Sequence, residues 1–152
     1  MKSPSAVIFF DGASKGNNRV SGAGGLVYSP DRKSSISYSW GLGSMSNNQD
    51  EGYNLLMVIH MVSNKGYNSV QIFGDSEILI KALNTTDRIN NSALNIILQR
   101  TRILLKGLDK ANSFHILRDH NHLADNLANK ACLLPQGFLS INGEDSYFHP
   151  IP

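Results

Sequence analysis

The sequence predicts an α/β fold: a five-stranded mixed sheet in the order 3-2-1-4-5, flanked by helices. Three observations predict it. The run Ala6-Val7-Ile8-Phe9-Phe10 is apolar without polar alternation, so it reads as a strand buried on both faces. Two more strand-like segments follow with no helical pattern between them, which makes the three an antiparallel meander. Helical patterns then separate the remaining strands, and such crossovers make strands one, four and five parallel.

Strand one ends in Asp11, followed by Gly12-Ala13-Ser14-Lys15-Gly16-Asn17. A carboxylate directly after a buried strand meets solvent, and Gly12 and Gly16 let the backbone turn and approach a ligand. Such a stretch suits the holding of a metal or a phosphate; taken alone, it is also what an ordinary loop acid capping a turn looks like. Gly22-Ala23-Gly24-Gly25-Leu26-Val27-Tyr28 is strand two, its small residues allowing close packing. Pro30-Asp31-Arg32-Lys33 is a turn. Ser35-Ile36-Ser37-Tyr38-Ser39-Trp40 alternates, as a half-buried edge strand does.

Ser46-Asn47-Asn48 supplies helix caps, and Leu55, Val58, Ile59 and Val62 keep the spacing of one helical face up to Gly66. Glu51 falls in the first turn. Val70-Gln71-Ile72-Phe73-Gly74 is strand four, with Asp75 at its end, and Ser76-Glu77 opens a second helix through Leu83. A polar loop precedes a third helix from about Ala93 to Leu108, striped by Leu94, Ile97, Leu98, Thr101, Leu105 and Leu108. Phe114-His115-Ile116-Leu117 is strand five. A last helix from Leu123 to about Leu133 is stopped by Pro135. Residues 1–134 form one domain; residues 135–152 carry no strong period and read as a C-terminal tail, loosely packed or disordered.

A chain of 152 residues with 41% hydrophobic and 17% charged residues suits a globular domain with a sizeable core. A net charge of +2 permits nucleic-acid binding without arguing for it. The single cysteine, Cys132, excludes an internal disulfide framework and a Cys-based zinc site. The N-terminal apolar run is too short for a signal peptide, and nothing approaches the ~18 apolar residues of a membrane span. An intracellular monomer with no membrane partner is expected.

Four acids stand out by position. Asp11 and Asp75 follow buried strands that lie side by side in the expected order, where open α/β sheets bind ligands. Glu51 starts a helix, and Asp125 lies in the first turn of the last helix. Carboxylates brought close repel one another unless a cation neutralises them. Oxygen ligands without cysteine suit Mg²⁺ or Mn²⁺, and two such ions about 4 Å apart form a clamp for phosphodiester cleavage.

The runs Asp11-Gly12-Ala13-Ser14-Lys15-Gly16-Asn17, Asn47-Asn48-Gln49-Asp50-Glu51, Gly74-Asp75-Ser76 and Arg118…Asn121…Ala124-Asp125…Leu127-Ala128 resemble the four motifs of the type 1 ribonuclease H family. The variety they most resemble is the plant and retrotransposon one. The resemblance implies a ribonuclease H-like fold and a hydrolase that cuts the RNA strand of an RNA–DNA hybrid, leaving 5′-phosphate ends. It implies two Mg²⁺ ions, with Mn²⁺ as an alternative, held by Asp11, Glu51, Asp75 and Asp125. Asp11 bridges the ions, Glu51 and Asp75 complete one, and Asp125 completes the other. Gly12, Ala13 and Ser14 would reach the 2′-hydroxyls of the hybrid's shallow groove. Asn17, Asn47 and Asn48 would offer amides to hydroxyls or phosphates, beside the capping role open to the last two.

The chain departs from the family at several points. Asp50 stands where the family usually has Ala, and is expected to point to solvent. Asn17-Asn18-Arg19 replaces a common Asn-Pro-Gly. The loop before Asp125 is short, so His120 and His122 read as surface histidines. Arg102, Lys106 and Lys110 recur at helical spacing, either gripping nucleic acid or forming a solvated face. The alternative function is a catalytically weak or inactive nucleic-acid-binding module of retroelement origin, against which the intact set of four acids argues. A proofreading-type exonuclease would carry Asp-x-Glu in its first motif, and position 13 is Ala.

Overall fold

The computed structural model describes residues 4–150, without the side chains of residues 47, 48 and 145–147. In chain order its elements are β1 (Ala6–Lys15), β2 (Val20–Tyr28), β3 (Ser35–Ser44), α1 (Asn47–Asn64), β4 (Ser69–Gly74), α2 (Glu77–Leu83), α3 (Ser92–Lys106) and β5 (Lys110–His115). A short 3₁₀ turn (Arg118–His120), α4 (His122–Ala131), β6 (Phe138–Ile141) and β7 (Glu144–Phe148) follow. The strands form one sheet in the order β5-β4-β1-β2-β3-β6-β7. Its five-stranded part has the expected order.

β1 is the centre. Ala6, Ile8 and Phe10 are wholly buried on the face that α1 covers with Leu55, Val58, Ile59 and Val62. β1 pairs antiparallel with β2, placing Asp11 opposite Gly24, and parallel with β4, from Ala6 beside Val70 to Phe10 beside Gly74. β4 pairs parallel with β5. α3 packs on α1 rather than on the sheet. α4 covers the opposite face over β1, β2 and β3. Its approach is close because Gly22 and Gly24 present no side chain: a Cβ on Gly22 would stand 2.5 Å from the Ala128 carbonyl oxygen, and one on Gly24 would overlap the Ala128 amide nitrogen. Trp40 and Met57 are buried in the core.

The sheet has seven strands, not five. Residues 135–150 do not make a loose tail: β6 pairs antiparallel with β3, from Tyr38 beside Ile141 to Trp40 beside Leu139, and β7 pairs with β6, while residues 151 and 152 of the expected tail lie outside the described residues. β3 is therefore interior to the sheet. The physical reason is that β3 would otherwise leave a row of backbone groups unpaired. The hairpin turns on Asn142-Gly143, whose φ angles of 53° and 76° are those of a type I′ turn. The Trp40 indole donates to the His149 carbonyl at 2.8 Å, pinning the far end.

Element bounds and one placement also move, β2 starting at Val20 and β3 running on to Ser44. β1 runs on to Lys15, so Asp11 lies within a strand; only β4 stops beside it. The turn comes at residues 16–19, where Gly16 takes φ +76°. Glu51 sits in the second turn of α1, and the first-turn acid is Asp50. β5 spans Lys110–His115 rather than 114–117, because the polar segment pairs with β4 on an edge that need not be apolar.

Candidate active site

The site forms where β4 ends and β1 continues. β1 delivers Asp11, the residue after β4 delivers Asp75, and α1 delivers Glu51 from above. One carboxylate oxygen from each lies within 4.8 Å of the others. Asp125, from the first turn of α4, faces Asp11 from the other side of the sheet but stands outside that trio.

Asp11 is buried. Its Oδ1 accepts the Gly12 amide at 2.9 Å, while its Oδ2 is buried with no hydrogen-bond partner, as is Oδ2 of Asp75. Buried polar atoms without partners are rare, and two of the three acids in this trio carry one. Burial raises the Asp11 carboxyl well above the usual carboxylate range, and the charges of Asp75 and Glu51 raise it further. Burial pushes Glu51 up to about 7; the Ser76 hydroxyl and the Arg118 guanidinium oppose the shift, and Asp75 adds to it. All the donors are carboxylate oxygens. The site thus has what a hard divalent cation requires: converging negative charge, unmet acceptors and no soft ligand.

Asp50 does not point to solvent. It is 2% exposed, with its Oδ1 unpartnered and its Oδ2 accepting a 3.4 Å bond from Ser14. Burial, then the charge of Glu51, pushes it up to about 8. Its place explains Gly12, which is not a turn glycine: a Cβ there would stand 2.7 Å from Asp50 Oδ1 and 2.9 Å from Glu51 Cγ. The side chain turns inward because a first-turn position on α1 faces β1.

Gly12, Ala13 and Ser14 lead away from the trio along β1. The Ser14 hydroxyl is engaged with Ser21 at 2.9 Å as well as with Asp50. Asn17 is exposed in the turn beyond. The side chains of Asn47 and Asn48 lie outside the described residues. Arg102, Lys106 and Lys110 do not form one helical row: Arg102 donates to the carbonyls of Ala82 at 2.6 Å and Asp87 at 2.9 Å, and Lys110 opens β5. His120 and His122 are exposed, as expected.

Two residues near the site had been given no role. Asn121, 2% exposed, donates to the Phe10 carbonyl at 3.0 Å and ties the start of α4 to the residue before Asp11. Asn54, fully buried, donates to the carbonyl of Asp11 itself. The available signal for Asn54 was an amide three residues after Glu51, flush with the apolar stripe of a helix.

Fold and site together define a class: an α/β protein with an all-oxygen candidate cation site at the ends of its central parallel strands. The reverse transcriptase-like family model matches residues 9–131. The chain belongs to the type 1 ribonuclease H family. Ribonuclease HI of Halobacterium salinarum is 32% identical over 123 residues, covering 81% of this chain and 62% of that protein. The chain thus spans less than two thirds of that relative's length. The crystal structure of ribonuclease H1 from the same archaeon matches with a TM-score of 0.75 at 30% identity, over 84% of this chain and 96% of that one. LC11 ribonuclease H1, from compost and solved in complex with an RNA/DNA hybrid, matches with a TM-score of 0.75 at 20% identity, over 84% and 96% of the two chains, a likeness of fold. No helix among the described residues is long and apolar enough to cross a membrane.

Proposed function

We propose that this chain is a divalent-cation-dependent endoribonuclease that hydrolyses the RNA strand of RNA–DNA hybrids and leaves 5′-phosphate ends. The observation that carries the reading is the convergence of Asp11, Glu51 and Asp75 within 4.8 Å, with the Oδ2 atoms of Asp11 and Asp75 buried and unpartnered. Family membership supports it. So does the LC11 relative, whose fold accommodates an RNA/DNA hybrid.

In this reading Asp11, Glu51 and Asp75 would hold one Mg²⁺ or Mn²⁺, and Asp11 with Asp125 would hold a second. When bound, such ions supply a Lewis acid for the attacking water and a counter-charge for the leaving 3′-oxygen. The protein's own contribution is placement. Asp11 stands between acids from both faces of the sheet. Ser76 and Arg118 favour the charged form of Glu51. The segment Gly12–Ser14 presents backbone groups to the 2′-hydroxyls by which RNA is told from DNA, with Asn17 reaching the flanking backbone.

The test is cleavage of an end-labelled hybrid in Mg²⁺ or Mn²⁺, beside single-stranded RNA, an RNA duplex and a chelator control. Internal cuts in the hybrid's RNA alone, lost with chelator, are expected. Hybrid binding without cleavage in either metal would replace this reading with the inactive binding module.

A further inference from the structure

α1 is tied to the sheet by a completely buried amide, Asn54, and it is tied at the residue that carries the site. The Asn54 amide nitrogen donates to the carbonyl of Asp11 at 2.6 Å and to the carbonyl of Gly24 at 3.0 Å. These two residues face each other across the β1–β2 ladder. The amide oxygen accepts the Tyr38 hydroxyl at 2.5 Å. Asn54 and Tyr38 are both completely buried. The chemistry fixes the amide's orientation: two carbonyls can only accept and the hydroxyl is there to donate, so nitrogen faces the ladder and oxygen faces the tyrosine. Room for the tyrosine comes from Gly25, its neighbour on β2, where a Cβ would stand 2.5 Å from the Tyr38 oxygen.

Glu51 lies three residues before Asn54 on the same helix, so both face the sheet. Asn54 therefore joins, by one rigid step, the backbone of Asp11 to the helical turn that carries Glu51. We propose that Asn54, oriented by Tyr38, is a positioning residue for the cation site: it sets the Asp11–Glu51 separation that a shared ion requires. Outer groups that hold ligands in place typically govern affinity about 10- to 100-fold without touching the ion. This inference rests on the cation-dependent reading above.

The test is calorimetric titration of Mn²⁺ into the full chain, with thermal unfolding measured in parallel. Asn54→Leu keeps the branched shape, with bulkier methyl groups, and removes every bond; Tyr38→Phe removes only the hydroxyl and serves if the first variant does not fold. Ile59→Val, deeper in the same helix and wholly buried, serves as the control for a merely structural loss. Mn²⁺ affinity is expected to fall roughly tenfold or more in Asn54→Leu and by a smaller factor in Tyr38→Phe. Ile59→Val is expected to lower the melting midpoint with unchanged affinity. If the unaltered chain binds Mn²⁺, and both variants melt earlier yet bind it within about twofold of the unaltered chain, the inference is overturned and the ribonuclease reading stands. An unaltered chain that neither takes up Mn²⁺ nor cuts hybrid overturns both.

Discussion

The two helices that bring acids to Asp11 differ in how tightly their backbones approach the sheet. α1, carrying Glu51, is held by directional bonds: Asn54 to the Asp11 and Gly24 carbonyls, and Ser14 to Asp50. α4, carrying Asp125, is tied at its start by Asn121 to the Phe10 carbonyl and at Leu127 by the Ser39 hydroxyl, but its close approach to the sheet depends on missing side chains, with Gly22 and Gly24 against the backbone and Cβ atoms of residues 127–132. One contact fixes register and rejects wrong polarity. The other fixes distance and rejects added volume. Gly24 serves both, since its carbonyl takes the Asn54 bond while its missing side chain admits α4. The lesson is that the two carboxylates reaching Asp11 from opposite faces fail to different substitutions.

Asp11 is where the two seatings meet, so the largest effect is expected there. Asp11→Asn keeps the shape and the bonds to its backbone but removes the charge both helices are arranged around. Hybrid cleavage should drop by roughly three orders of magnitude or more, while the melting midpoint holds or rises, because a buried unpaired acid is gone. Cleavage assays beside thermal unfolding check both halves. Full activity in Asp11→Asn would remove the proposed site.

Next comes volume on the α4 side. Gly24→Ala puts a methyl group into helix backbone, 2.5 Å from the Leu127 carbonyl carbon, where no flexible side chain can yield. A loss of about 1–3 kcal/mol is expected in urea unfolding, with reduced cleavage because α4 must carry Asp125 outward. A Gly24→Ala chain as stable as the original would break the contrast between the two helices.

That contrast also explains what the sequence makes legible. The five-stranded order follows from apolar period, which is local; Asp11 and Asp75 stand out after apolar strand runs, while Glu51 and Asp125 stand out at helix starts and within motifs that resemble those of a known family. Asp50 does not: its inward turn depends on Gly12 lying opposite, a relation between residues far apart in the chain. Asn54 has the same character, because an amide on an apolar stripe shows its purpose only when the Asp11 and Gly24 carbonyls are placed under it. The β6–β7 hairpin is different. Asn142-Gly143 is a strong local hairpin signal, but its flanking strands are short, and their worth comes from pairing with β3. Burial in this fold is decided by partners more often than by pattern.

The α1 side is also the more heavily charged one, and pH separates it from the α4 side. Asp11, Asp50 and Glu51 all hold their protons more tightly folded than unfolded, chiefly through burial. Such groups contribute stability that is fully present below the unfolded carboxyl range near pH 4 and lost as pH rises through about 7 to 8. The metal-free chain should therefore melt at lower temperature at pH 8.5 than at pH 5, and Mg²⁺ should recover part of the difference at the higher pH. Hydrogen exchange should show the loosening at the N-terminal half of α1 before α4. A melting midpoint that rises with pH in chelator would contradict the buried, unpaired state of these acids.

The smallest effect uses the same substitution where neither seating is involved. Gly143 takes φ +76° with open space around its Cβ position, so Gly143→Ala meets conformational strain and no neighbour. The cost should be about 1–2 kcal/mol, toward the lower end because the hairpin can adjust at the sheet's edge. Cleavage should not change, since β6 joins the sheet at β3, two strands away from β1. Gly24→Ala and Gly143→Ala thus form a pair: glycine demanded by a neighbour against glycine demanded by its own backbone. If Gly143→Ala lowered cleavage as Gly24→Ala does, the terminal hairpin would have to be counted among the elements that place the carboxylates.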